Sequence, residues 1–138
     1  MIPPIPAKIA AVFDKAPDRA RARLVEMRAA IYQAAKAADV GPLQETLKWG
    51  EPAYLPQKPR VGTTLRIGWS PKRPDEVSLY VPCQTTLVDL YRARFPDEFR
   101  YEGNRGVHLL AAGRYAEAAF EQLASLALTY HRDKRARS

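Results

Sequence analysis

One cysteine, Cys83, and two histidines, His108 and His131, are all that this chain of 138 residues holds for thiol or imidazole chemistry. A lone cysteine excludes an intrachain disulfide and every zinc site built from cysteine pairs. The histidines stand in different segments, with neither a His-x-x-x-His nor a Glu-x-x-His spacing, so no metal site is expected. No apolar run approaches the roughly 18 residues that a membrane span needs. The opening stretch from Met1 to Ala16 lacks a basic segment followed by a long apolar one, so no secretory signal is expected and the natural compartment is the cytoplasm. Glycine-rich phosphate loops are missing, and with them any expected nucleotide cofactor. Ser70, Ser78 and Ser125 lie outside the nucleophile-elbow pattern, and Cys83, after Pro82, reads as a small buried hydrophobe. With no catalytic motif, a binding or accessory role is favoured over catalysis.

Acid is scarce as well. Fifteen Asp and Glu face 22 Lys and Arg, a net charge of +7. Such a surplus steers a domain toward anions, and the planar fork of arginine suits phosphate or carboxylate. It argues against a ridge of uncompensated acids for hard iron. The basic residues are scattered through Arg19, Arg21, Arg23, Arg28, Lys72, Arg73 and a tail of Arg132, Lys134, Arg135 and Arg137, without a nucleic-acid motif. Non-specific nucleic-acid binding is therefore the rival reading to a solvated basic surface.

What is present describes one ordinary core: 46% of the residues are hydrophobic, and the length suits a single domain. Ile5, Ile9, Val12 and Phe13 keep helical spacing up to Pro17. Leu24, Met27, Ile31, Ala34, Ala35 and Ala38 line one face of a long second helix, with Arg19, Arg21, Arg23 and Arg28 on its other sides. Gly41-Pro42 is expected to open a short third helix that ends at Trp49-Gly50, with Gly50 as a left-handed cap. After Pro52 the period falls to two. Strands are expected at Ala53-Tyr54-Leu55, from Thr64 to Trp69, from Val77 to Val81, and in a hairpin around Gly103-Asn104-Arg105-Gly106. Thr86-Leu87-Val88-Asp89 resembles a capping box before a helix. A last helix runs from Tyr115 to Tyr130, and 132–138 is expected to be a frayed basic tail beyond a domain of 1–131. This order predicts an α+β fold, with a largely antiparallel sheet of about five strands packed by N-terminal and C-terminal helices.

Alternation then sorts side chains by face. With Leu65, Ile67, Trp69, Val77, Leu79, Val81, Val107 and Leu109 inward, Thr64, Arg66, Ser78, Tyr80 and His108 share the opposite face. Arg100 and Glu102 extend that group, and Tyr54 joins it if Ala53 and Leu55 point inward. Aromatic rings beside an arginine suit a planar anion, although a polar outer face is also what a half-buried antiparallel sheet ordinarily shows to water. Lys48 and Trp49 add a cation and a stacking surface at the corner, while the large area of Trp49 favours cover of the core edge. The candidate ligand site is Lys48, Trp49, Tyr54, Arg66, Tyr80 and His108, and its expected ligand is small and anionic or aromatic.

The run Leu47-Lys48-Trp49-Gly50-Glu51-Pro52-Ala53-Tyr54, with a long helix before it and Val77-Ser78-Leu79-Tyr80 after it, resembles the YdhG-like family (domain of unknown function 1801) over roughly residues 17 to 131. The resemblance implies a compact α+β domain without an established activity. Some relatives are described as frataxin-like iron chaperones, an alternative that the basic composition here does not favour. Arg105-Gly106 stands where many relatives would have Lys-Gly.

Overall fold

The computed structural model describes residues 2–137. Helix α1 (Ala7–Phe13) buries Ile9 and Phe13. Pro17 then supplies the extended residue before α2 (Asp18–Ala37), whose first turn carries Asp18 and whose last carries Lys36, each complementing the helix dipole. Its buried stripe includes Ala20, Leu24, Met27, Ile31, Ala34 and Ala35. The strands follow: β1 (Leu43–Lys48), β2 (Glu51–Pro56), β3 (Leu65–Gly68) and β4 (Glu76–Tyr80). Helix α3 (Leu87–Arg94) precedes the hairpin of β5 (Arg100–Glu102) and β6 (Gly106–Leu110), and α4 (Glu117–Leu128) and α5 (Tyr130–Arg137) close the chain. The strands form one six-stranded sheet in the order β1-β2-β3-β4-β6-β5, antiparallel at every pairing. Helices α1, α2 and α4 pack against it, around a core that holds Leu65, Ile67, Val77, Leu79 and Val107. The α+β class and the antiparallel sheet are as the period-two segments predict.

The additional strand is the segment expected as a third helix. Leu43, Glu45 and Leu47 alternate with Gln44, Thr46 and Lys48, and β1 pairs with β2 along its whole length, from Leu43↔Pro56 to Lys48↔Glu51. Leu, Gln, Glu and Lys are good helix formers, but pairing with the next strand overrides that local preference. Trp49 and Gly50 are thus the two central residues of a hairpin turn, with φ of 55° and 77°. Positive φ at both positions is the type I′ geometry that matches strand twist. An added Cβ on Gly50 would meet open space. Gly50→Ala should therefore cost only the left-handed backbone, about 1 kcal/mol in urea unfolding.

Five further expectations change. Tyr54 sits opposite Leu65 in the β2–β3 ladder and is fully buried, so it belongs to the core and not to the polar face. Both parities of β2 are apolar there, and the ring removes more area from water than Ala53 and Leu55 do. Arg23 and Arg28, expected on the sides of α2 away from its apolar face, are buried. Arg23 donates to the carbonyls of Leu110 (2.5 Å) and Gly113 (2.9 Å), and Arg28 pairs with Glu45. The basic tail is helical to Arg137, and it is tied back by the Arg132 guanidinium on the Ala38 carbonyl at 2.7 Å. Ser138 of that tail, and Met1, lie outside the described residues. Thr86 precedes α3 without a side-chain cap, so the capping box does not form. Cys83 is exposed rather than buried. Among the described residues no helix is long and apolar enough to cross a membrane.

Candidate functional site

Antiparallel register sets the candidate face. Arg66 lies opposite Tyr80, and Gly68 opposite Ser78. Ser78 in turn lies opposite His108, and Tyr80 opposite Gly106, while Arg100 and Glu102 flank from β5. All point away from the face that holds Leu65, Ile67, Val77 and Leu79. The Arg66 guanidinium sits 5.3 Å from the centre of the Tyr80 ring and pairs with Glu51 at 2.5 Å. Burial pushes the Glu51 carboxyl up, and the charge of Arg66 opposes that shift.

Three adjoining depressions of about 250, 390 and 310 Å³ cross this face, each lined by Tyr80 and Arg105. Trp49 and Arg66 border the first two, with Lys48 and Thr64 at one end. Ser70, Lys72, Arg73, Glu76, Ser78 and Glu102 line the third. Trp49 is 91% exposed at its hairpin tip, which corrects the expectation that it covers the core edge. Arg66 and Arg73 are neutralised by Glu51 and Glu102, and Arg100 by Glu76. The side chains of Lys48, Lys72 and Arg105 have no ion-pair partner among the described residues. A separate, more apolar pocket of about 340 Å³ lies between α1 and the β2–β3 side of the sheet, lined by Val12, Phe13, Pro52, Ile67 and Trp69. It offers shape, but little of the charge and none of the ring–cation pairs of the open face.

A polar relay connects Ser78 and Glu102 of the third depression through His108. His108 is 1% exposed. Its Nδ1 is 2.6 Å from the Ser78 hydroxyl, and its Nε2 is 2.8 Å from Glu102 Oε1. Tyr80 meets the imidazole edge-on at 6.0 Å. Arg73 donates to Glu102 at 3.2 Å and stands 3.5 Å from His108 Nε2. Arg73 first, and His108 second, hold the Glu102 carboxyl well below its usual value, at about 2. Arg100 grips Glu76 with two bonds of 2.9 and 2.6 Å, which keep that carboxyl ionised and low.

The fold thus brings together Lys48, Trp49, Arg66 and Tyr80 along one groove, buries His108 against Ser78, Tyr80 and Glu102 of the adjoining depression, and removes Tyr54 to the core. Glu51 is not legible from sequence, because the helix-forming residues of β1 conceal the strand before it. Nor is Arg105 as a lining residue, although the Gly-Asn-Arg-Gly turn around it is visible. No group of three or more His, Cys, Asp or Glu side chains is arranged for a metal ion among the described residues. No family model, no curated protein and no solved structure matches this chain.

Proposed function

We propose that this protein is a cytoplasmic binding module of the YdhG-like type that takes a small anionic ligand with a planar aromatic part on the open face of its sheet. One observation carries the reading: Trp49, nearly fully exposed, holds a left-handed backbone beside the unpaired cations Lys48 and Arg105. A bulky residue in that conformation is costly, and Asn or Gly is what a type I′ turn prefers. Strain retained at an exposed ring points to use of the ring. Tyr80, backed by Arg66, supplies the facing aromatic surface, and Arg105 borders it in every depression. The ligand stacks on rings and pairs its charge with a fork, two contacts that favour an aromatic carboxylate, sulfonate or phosphate.

Replacing Trp49 tests this with opposite signs. Trp49→Asn should raise unfolding stability by about 0.5–1 kcal/mol, because Asn tolerates positive φ. The same variant should abolish binding of adenosine monophosphate, naphthalene sulfonate or benzoate, whichever raises the melting temperature of the native protein. Arg105→Ala should also abolish that shift, whereas Lys134→Gln on α5 should leave it intact. Binding by stacking and a paired fork should persist at about 200 mM salt, where loosely screened surface attraction fades. A response to RNA alone, lost with salt and indifferent to Trp49, would support the nucleic-acid reading instead.

A further inference from the structure

We propose that Ser78 is an activated nucleophile, served by His108 and oriented through Glu102, that takes an acyl group from small anionic esters. The proton inventory is fixed by the partners. Glu102, ionised and bridged to Arg73, can only accept, so a neutral His108 carries its proton on Nε2 and directs it at that carboxylate, 2.8 Å away. Nδ1 is then bare and accepts the Ser78 proton over 2.6 Å. A hydroxyl held on a base, with the base held by a carboxylate, is the arrangement that makes serine nucleophilic. The ring is turned relative to serine hydrolases, with Nδ1 instead of Nε2 toward the hydroxyl, but the proton path is the same. His108 is buried, and Ser78 lines the solvent-reaching depression, so the nucleophile is accessible while its base is sheltered.

Lys72 and Arg105 line the same depression without carboxylate partners. They select an anionic substrate and stabilise the oxyanion that forms on attack. The Ser78 oxygen bonds to the ester carbonyl carbon as its proton passes to His108 Nδ1. The carbon–alkoxy bond breaks, and the leaving oxygen takes that proton. Water then adds to the acyl-serine and gives its proton to Nδ1. The bond to Ser78 breaks, its oxygen recovers the proton, and the carboxylic acid leaves. Ester and water become acid and alcohol, with no other reactant.

Ser70 lines the same depression, and its hydroxyl meets the Lys72 amide at 3.2 Å and no imidazole, which makes it an internal control. The full chain is incubated with para-acetoxybenzenesulfonate, with para-nitrophenyl acetate and with a fluorophosphonate, and adducts are located by peptide mapping. The expected result is modification of Ser78 and not Ser70, faster with the anionic ester than with the neutral one. His108→Gln should slow it by about 100-fold or more. Glu102→Gln should act at a distance, because its amide can donate to Nε2 and move the ring proton to Nδ1. Nitrogen-15 shifts of His108 should report that exchange of tautomer, which a purely structural carboxylate would not cause. Equal labelling of Ser70 and Ser78 in the native protein, or an unchanged rate in Ser78→Ala, overturns the proposal whether or not the other variants fold. It does not rest on the ligand proposed at Trp49, although Arg105 borders both depressions.

Discussion

Glu45→Ala is expected to destabilise the fold by about 3–5 kcal/mol in urea unfolding, because it leaves a buried guanidinium without its counter-charge. The Arg28 side chain is 3% exposed and that of Glu45 is 7% exposed. The pair is bidentate, Nε to Oε2 at 2.6 Å and Nη2 to Oε1 at 2.9 Å. Tyr32 donates its hydroxyl to the same carboxylate at 3.0 Å, and its ring lies 4.8 Å under the guanidinium. Arg28 also holds the Pro3 carbonyl at 2.9 Å, so its loss of orientation would release the N-terminal segment. Replacing both charges, as in Arg28→Met with Glu45→Leu, should recover most of the loss, because the cost lies in the orphaned charge and not in the missing attraction.

The same pair sets an acid limb. Burial, the largest single influence, raises the Glu45 carboxyl, but hydrogen bonding from Arg28, Tyr54 and Tyr32 together with the charge of Arg28 outweighs it and leaves its pKa below the ordinary glutamate value. A carboxylate depressed in the folded state contributes stability above its unfolded pKa, about 4.3, and loses that contribution as pH falls through the folded value. The native protein should therefore lose stability below about pH 4 more steeply than Glu45→Gln, measured as urea midpoints across that window. The neighbouring Tyr32 hydroxyl is pushed up to about 12, by burial first and by the carboxylate second, so it remains a donor throughout.

This pair also marks where sequence ceases to be legible. Leu65, Ile67, Val77, Leu79, Val107 and Leu109 alternate with polar residues, so the sheet face of Arg66, Ser78, Tyr80 and His108 could be read from period two alone. Glu45 breaks that logic, because a charge on the core face of β1 hides the alternation of Leu43 and Leu47. Its partner Arg28 lies on α2, and nothing local announces that the two meet. Tyr54 failed for the related reason that both parities of β2 are apolar. The exposure of Trp49 is equally illegible, because the turn type depends on the β1–β2 register, which only pairing fixes. The contacts that join Ser78, His108 and Glu102 were half-visible: the shared face followed from the pattern, while the bond lengths needed the β4–β6 ladder.

Gly62→Ala is expected to cost about 2–4 kcal/mol, although Gly62 needs no positive φ and lies in a loop. A Cβ there would stand within 2.7 Å of the Leu128 backbone, at the end of α4, and backbone cannot rotate out of the way as a side chain does. The segment is clamped on both sides of the glycine, by Thr63 N on the Ala127 carbonyl at 2.9 Å and by Arg132 N on the Val61 carbonyl at 2.9 Å. Relief of the overlap must therefore break a hydrogen bond or shift the end of α4, where Leu128 is fully buried. Gly50→Ala, at the Trp49 turn and facing open space, is the matched control with its smaller loss. The clamp bears on the proposed groove, because Thr63 leads directly into Thr64 and Arg66 at the start of β3. Binding at the groove should weaken in Gly62→Ala even under conditions where the variant remains folded, measured by titration calorimetry well below its melting temperature. An unchanged melting temperature would mean that the loop is not held against α4, and that another contact positions Arg66.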